Sequence, residues 1–345
     1  MQKTTVESVG VGVIGAGTMG QLHAKIYKNM PGVNLVGVED NDKEKADSVA
    51  AEFRCRAFYS YGDLLQTPGI DAVSVATPDH LHYEIVMACL DSGKHVLVEK
   101  PLTTNLQEAQ QIVKKAEERG LQVMVNYNNR WGIPYQKAKE AILAGVIGTP
   151  LVGYARKINN IKVPTEMLRW ASATSCVHFL ATHDIDMILW YFDYPKPIEV
   201  YAAGCANVLC AMGIPTFDVV QAIVRFAGGK QGCFECGWIY PRTYPTLTES
   251  YLHVIGEKGV IHIDRREENI VICSTDAFTF PRTCLGGEVE GRYEGALKLA
   301  LEHFIASIRH GTEPEPNAKH ALRAVEIAVA IHLSLQEMRT VKLPL

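Results

Sequence analysis

Gly15, Ala16, Gly17, Thr18, Met19 and Gly20 form a Gly-x-Gly-x-x-Gly run that follows an apolar segment at residues 9–14 and opens an amphipathic one. Such a run supplies a tight turn, close backbone approach to a ligand, and a helix N-terminus whose unpaired amides favour a pyrophosphate. Asp40 lies twenty residues after Gly20, at the end of the next apolar segment. A carboxylate there accepts hydrogen bonds from a ribose 2′-hydroxyl and repels a 2′-phosphate, so the combination predicts NAD as the cofactor. Glu39 is adjacent, but its side chain leaves a strand on the opposite face. Lys43, or Arg54 if the fold brings it near, keeps NADP open as an alternative.

The elements that must position these residues are legible around them. Short, valine-rich apolar runs at 9–14, 33–38, 72–76, 95–98 and 122–125 alternate with helix-like stretches at 19–29, 43–53, 80–91 and 105–119. That alternation is the pattern of βαβ units on a doubly wound parallel sheet, a Rossmann domain expected over residues 1–126. After Arg130 the texture changes. A helix at 135–144 and a Gly148-Thr149-Pro150 turn precede strands expected at 151–157, 198–207, 217–226, 231–240, 251–256, 259–264 and 269–274, with helices at 179–190, 295–309 and 318–337. Turns such as Gly228-Gly229 join neighbouring runs, so residues 127–345 are expected to form an α+β domain with a large, mostly antiparallel open sheet. The last helix is a candidate to pack back on the first domain.

Bulk properties exclude several functions. A net charge of −4 and a pI near 6.3 offer no basic field for nucleic acid. No apolar run reaches the ~20 residues of a membrane span, and the N-terminus has no signal-peptide pattern, so a cytoplasmic protein without membrane contact is expected. The nine cysteines are scattered, and only Cys233 and Cys236 form a Cys-x-x-Cys. On a strand, residues three apart face opposite ways, so no metal site is expected.

Glu99-Lys100-Pro101 after the strand at 95–98, the glycine run, and Thr182-His183-Asp184-Ile185-Asp186 together resemble the Gfo/Idh/MocA oxidoreductase family. Ala76-Thr77-Pro78-Asp79-His80-Leu81-His82 and the 125–130 segment are similar as well, and the likeness covers nearly the whole chain. It implies an NAD(P)-dependent dehydrogenase acting on a secondary alcohol of a sugar, cyclitol or derivative, with Lys100 and His183 as catalytic residues at the nicotinamide. Physical chemistry agrees with those roles. A hydride leaves an alcohol carbon only if the hydroxyl proton also leaves, and a histidine is suited to take it. A lysine at the C-terminal end of a sheet strand lies where open α/β sheets bind ligands, and its ammonium can polarise the substrate oxygen.

The resemblance further implies that Ala76, Thr77, Pro78, His82 and Glu99 line the cofactor site, and that the Lys100-Pro101 bond is cis. Inositol dehydrogenase-like members carry an aspartate four residues before the histidine, whereas this chain has Phe179. Asp186, one helical turn after His183, and His178 are candidates to serve near the imidazole. Arg130 is a candidate for substrate contact or a structural ion pair; Asn126, Asn128 and Arg156 are polar candidates, the last on a strand with Tyr154 and Lys157. Two other functions fit the same scaffold: NAD-dependent glycoside cleavage through transient ring oxidation, and a non-catalytic NAD(P)-binding sensor. Self-association through the open sheet, as a homodimer or homotetramer, is expected.

Overall fold

The computed structural model describes residues 8–267, 270–281 and 283–345, which divide into two compact units. The first begins with β1 (Val9–Ile14), α1 (Thr18–Asn29), β2 (Val33–Glu39), α2 (Lys43–Phe53), β3 (Arg56–Phe58), α3 (Tyr61–Leu65), β4 (Ala72–Val75), α4 (His82–Asp91), β5 (His95–Val98), α5 (Leu106–Arg119) and β6 (Val123–Val125). All six strands are parallel, in the order β3-β2-β1-β4-β5-β6. This is the doubly wound arrangement, whose direction of growth reverses between β1 and β4. Every residue of β1 and of β4 is buried, as central parallel strands require. The three-residue β3 and the short α3 are too brief to show periodicity, and the sequence reading omits both.

The second unit contains α6 (Ile133–Leu143), β7 (Pro150–Asn160), α7 (Thr182–Tyr191), β8 (Pro197–Cys205), α8 (Val208–Ala211), β9 (Val219–Phe226), β10 (Gln231–Tyr240), β11 (Thr248–Gly256), β12 (Val260–Asp264) and a small hairpin of β13 (Ile272–Cys273) and β14 (Phe278–Thr279). The strand expected at 269–274 starts at a residue outside the described ones; its centre is β13. From Gly286 the chain returns to the first unit with the hairpin β15 (Gly286–Val289) and β16 (Arg292–Gly295) and the helix α9 (Ala296–His310), and this unit runs on to Leu322. Helix α10 (Ala318–Glu337) carries the chain back into the second unit, which ends with β17 (Val341–Lys342).

The second sheet has seven strands in the order β12-β11-β7-β10-β9-β8-β17. Every neighbouring pair is antiparallel except β7 and β10. The sheet is therefore mixed, with mostly antiparallel pairing. One face carries the helices: a Cβ on Gly153 of β7 would lie 2.5 Å from Ile188 of α7, and Ser334 of α10 accepts from the Ala202 amide of β8 at 2.9 Å. Strand β9 alternates cleanly, with Val220, Ala222, Val224 and Phe226 buried and Gln221, Ile223 and Arg225 exposed on the opposite face.

Residues 286–322 group with the first unit although they follow most of the second unit's sheet in the chain. The reason is an edge. Strand β6 ends the parallel sheet, and its exposed backbone is met by the returning chain: the Val125 amide donates to the Pro316 carbonyl at 3.1 Å, Met124 bridges to Asn317, and the Gln122 side chain donates to the Thr312 carbonyl at 2.7 Å. The chain crosses from the first unit after Asn128, two residues beyond the expected boundary.

Candidate active site

In the first unit the candidate residues emerge along one edge of the parallel sheet. The amide of Gly15 donates to the Glu39 carbonyl, Ala76 to Ile14, Glu99 to Val75 and Asn126 to Val98, each at 2.8 Å. The ladder therefore continues one residue past the strands and aligns the four loops at their C-terminal ends, beside the switch between β1 and β4. Gly15 has φ +94°, and a Cβ there would lie 2.7 Å from the Ala76 carbonyl oxygen. At Gly20 a Cβ would lie 1.7 Å from the Gly15 carbonyl oxygen, so the loop closes only with glycine at both positions.

These residues fit a dinucleotide. Gly17 caps α1 without a side-chain hydrogen bond, and a Cβ built on it meets nothing within 4 Å. The backbone is thus bare where a pyrophosphate approaches the helix start, with Thr18 exposed and Met19 half-buried beside it. Asp40 Oδ2 accepts from the Ala16 amide at 2.8 Å and Oδ1 from the Asp42 amide at 2.9 Å, which fixes the carboxylate at the glycine turn. Lys43 lies over the Tyr59 ring at 5.2 Å from its centroid, and Arg54 caps the far end of α2, so neither side chain follows Asp40 as a 2′-phosphate ligand would. Glu39 is buried, and burial beside the Asp40 charge pushes its carboxyl up to about 7.

Thr77 Oγ1 and Asn126 Oδ1 are buried polar atoms without a hydrogen-bond partner among the described residues, the state expected of groups awaiting a polar ligand at this edge. Ala76, Thr77 and Pro78 are half-buried. His82 is buried between two loops, with Nδ1 2.7 Å from the Pro101 carbonyl and Nε2 3.0 Å from the Thr77 carbonyl. Burial pulls this imidazole below its ordinary value, against both carbonyls and the charges of Asp79 and Glu99. It ties the β4 loop to the Lys100-Pro101 bond, which is cis. Lys100 is half-buried. Glu99 turns inward: its Oε1 accepts from His23 Nε2 at 3.0 Å and from Asn126 Nδ2 at 2.6 Å. His23 did not emerge from the sequence reading; its signal is its position three residues after Gly20, one turn into α1 and on the face toward the sheet. Asn128, half-buried, is the last residue of the unit.

In the second unit His183 is the second residue of α7 and half-buried, whereas Thr182 and every residue from Asp184 to Tyr191 are buried. A wide π-type turn, Val177–Ala181, leads into the helix. Two buried ion pairs hold α7. Asp184 pairs with Lys157 of β7; burial pushes Asp184 up, against the charges of Lys157 and Arg265. Asp186 receives two hydrogen bonds from Arg130, Nε to Oδ2 at 2.8 Å and Nη2 to Oδ1 at 2.6 Å, and Arg130 also reaches the Tyr194 hydroxyl. With both Asp186 oxygens on Arg130, this pair has the geometry of a helix anchor. His178 stacks on His332 at 4.3 Å between centroids, and burial with that neighbour holds it well below its ordinary value. Strand alternation turns Lys157 toward α7 and leaves Arg156 on the opposite face, paired with Glu249 of β11. Cys236 is buried with its sulfur 3.6 Å from that of Cys176, whereas Cys233 leaves the other side of β10.

Residues 9–127 match the NAD-binding Rossmann fold of the Gfo/Idh/MocA oxidoreductase family, and residues 139–343 match that family's C-terminal alpha/beta domain. The chain is 29% identical over 342 residues to scyllo-inositol 2-dehydrogenase (NAD(+)) of Bacillus subtilis, covering 96% of this chain and 95% of that protein. It is 31% identical over 261 residues to inositol 2-dehydrogenase 1 of Mycolicibacterium vanbaalenii, covering 75% and 73% of the two. Its fold matches scyllo-inositol dehydrogenase of Lactobacillus casei, a structure with bound NAD(H) and scyllo-inositol, at a TM-score of 0.83 and 19% identity over 97% of this chain and 99% of that one. Among the described residues, no helix is long and apolar enough to cross a membrane. A glycine turn, the Asp40 carboxylate fixed against it and a lysine on the β5 loop thus share one sheet edge, in a chain matched along both domains: it belongs to the Gfo/Idh/MocA family and is an NAD-dependent oxidoreductase acting on CH–OH groups.

Proposed function

We propose that the substrate is a cyclitol, within the wider class of sugars and their derivatives, and that Lys100 and His183 handle its reacting hydroxyl. The observation that carries this reading is Lys100, set on the β5 loop in the same row as the glycine turn and Asp40. The relatives named for inositol oxidation, matched over nearly the whole chain, support the substrate class. When bound, NAD supplies the hydride acceptor. Asp40 would hold the adenosine ribose, and the bare backbone at Gly17 would receive the pyrophosphate. The Lys100 ammonium polarises the substrate oxygen, and the His183 imidazole takes the hydroxyl proton as the carbonyl forms. In the reverse direction the same two groups return charge and proton.

Phe179 supports a second substrate class. It packs edge-on to Trp170 at 5.9 Å and tilted against Trp238 at 6.1 Å, one helical turn before His183. An aromatic surface at that position suits an apolar substituent on the ring, such as a glycoside's aglycone, better than the hydroxyl rim of a free inositol. Glycoside cleavage through transient ring oxidation belongs to this second reading. NADH formation at 340 nm across inositols, aldoses, uronic acids, aminosugars and glycosides, with NAD and NADP in parallel, separates the two. Turnover of inositols with NAD supports the cyclitol reading. Glycoside consumption without net NADH overturns it in favour of the second.

We further propose a homodimer or homotetramer in the cytoplasm. Tyr201 and Ile223, 50% and 48% exposed on the open face of the second sheet, support self-association.

A further inference from the structure

We propose that Glu99 acts on the reaction from beneath, as the positioning residue of Lys100, and that His23 and Asn126 hold its carboxylate for that task. Glu99 immediately precedes Lys100, yet its side chain points into the unit, where residues from four elements, its own included, form one hydrogen-bonded cluster. His23 comes from α1, Ser74 from β4, Glu99 from the end of β5 and Asn126 from the end of β6. Glu99 Oε1 lies 3.0 Å from His23 Nε2 and 2.6 Å from Asn126 Nδ2, and His23 Nδ1 lies 2.7 Å from Ser74 Oγ. His23 and Ser74 are 0% exposed, Asn126 1% and Glu99 8%, so the cluster is largely shut off from solvent.

Such a cluster is costly as mere packing. A buried carboxylate must recover its lost hydration through hydrogen bonds, and apolar residues of similar volume would fill the space at least as stably. The position of this one argues for a role in the chemistry. The charged and titratable groups that face Glu99 are His23 and Tyr27 of α1, His82 of α4 and its own neighbour Lys100. Burial pushes the Glu99 carboxyl up, but the hydrogen bond and charge of His23, the charge of Lys100 and the Asn126 amide outweigh it, and Glu99 stays below its ordinary value. Coupling of this kind is reciprocal. If the Lys100 charge favours the Glu99 carboxylate, the carboxylate equally favours the Lys100 ammonium, the form that polarises a substrate oxygen. The donors from His23 and Asn126 fix where that negative charge sits, and through the short 99–101 turn they fix where the ammonium sits.

The inference rests on Lys100 being the polarising group, and the experiment separates the two claims. Full-length wild type, Glu99→Gln, His23→Leu, His23→Gln and Lys100→Met are compared by the pH profile of kcat. On the cofactor-free protein, the pH midpoint of Lys100 acetylation is read by mass spectrometry. The expected result is an alkaline limb and an acetylation midpoint displaced downward by about one pH unit in Glu99→Gln and His23→Leu. His23→Gln, which keeps a donor, restores most of the wild-type values, and Lys100→Met is inactive. If Lys100→Met is inactive while the midpoint in Glu99→Gln stays at the wild-type value, Glu99 is a packing group and the proposal falls alone. If Lys100→Met retains its kcat, the role of Lys100 falls and takes the proposal with it. His23→Leu and its acetylation midpoint decide the matter should Glu99→Gln not fold.

Discussion

At the scale of single residues, charge in the first unit divides between Lys100 on the β5 loop and Glu99, which looks inward. Lys100 and His183 are the residues proposed to act on the reacting hydroxyl, whereas the Glu99 carboxylate meets His23 and Asn126 in the interior. Removing an acid–base or electrostatic group that acts mainly in the transition state costs turnover more than ground-state binding. Lys100→Met and His183→Ala are therefore expected to lower kcat by roughly 10²–10⁴-fold and to change NADH affinity only a few-fold, measured by steady-state kinetics and by fluorescence titration. Glu39 gives a separate prediction in stability. Its folded carboxyl is raised from 4.5 to about 7, so between those values the folded protein holds a proton that the unfolded chain has lost. Its contribution is fully favourable below 4.5 and is lost as pH rises through 7, where a buried charge must form beside Asp40. Glu39→Gln removes that charge: thermal melts should place the variant a few degrees above wild type at pH 8, with the difference shrinking toward pH 5.

At the scale of elements, what positions His183 is the pair of ion pairs on α7. Asp184 and Asp186 are buried and compensated by cations from outside the helix, Asp184 by Lys157 of β7 with the charge of Arg265 nearby, and Asp186 by Arg130 before α6. Removing one member of a buried pair leaves an uncompensated charge, at a cost of about 3–5 kcal/mol. Lys157→Met should lower the melting temperature sharply in a calorimetric scan, and the double change with Asp184→Leu should recover much of the loss. A single variant as stable as wild type would show that Lys157 does not anchor the helix. These anchors also show where sequence reading runs out. The strands β1, β2, β4 and β5 and the helices α2 and α5 were legible because valine runs and amphipathic stretches carry their own periodicity. The partner of Asp186 was not, because Arg130 lies fifty-six positions away and the pairing is tertiary. The surroundings of Arg156 were out of reach for a related reason: alternation tells which residues share a face, but not which face meets the helices. The return of residues 286–322 to the β6 edge was likewise invisible, since nothing in that segment's composition names the strand it covers.

At the scale of the whole molecule, the glycine fingerprint, Asp40 and the ordered set of later motifs were enough to reach the family, because the glycines are demanded by backbone geometry and the set by chemistry. Self-association is the property at this scale that a direct measurement decides. Light scattering is expected to give two or four times the monomer mass of 38.1 kDa, and Ile223→Lys on the open sheet face should lower it; a wild-type species at monomer mass would contradict the proposal. The central claim is hydride transfer from a secondary alcohol carbon to NAD. Its most direct test uses an inositol deuterated at the ring carbons, incubated with the enzyme and NAD, with mass spectrometry of the recovered reduced cofactor. The expected result is one deuterium in each NADH formed, a slower rate than with the protonated inositol if the transfer limits turnover, and far slower formation of labelled NADH in Lys100→Met. Recovery of NADH without deuterium, or of ring-oxidised inositol with no reduced cofactor, would contradict it.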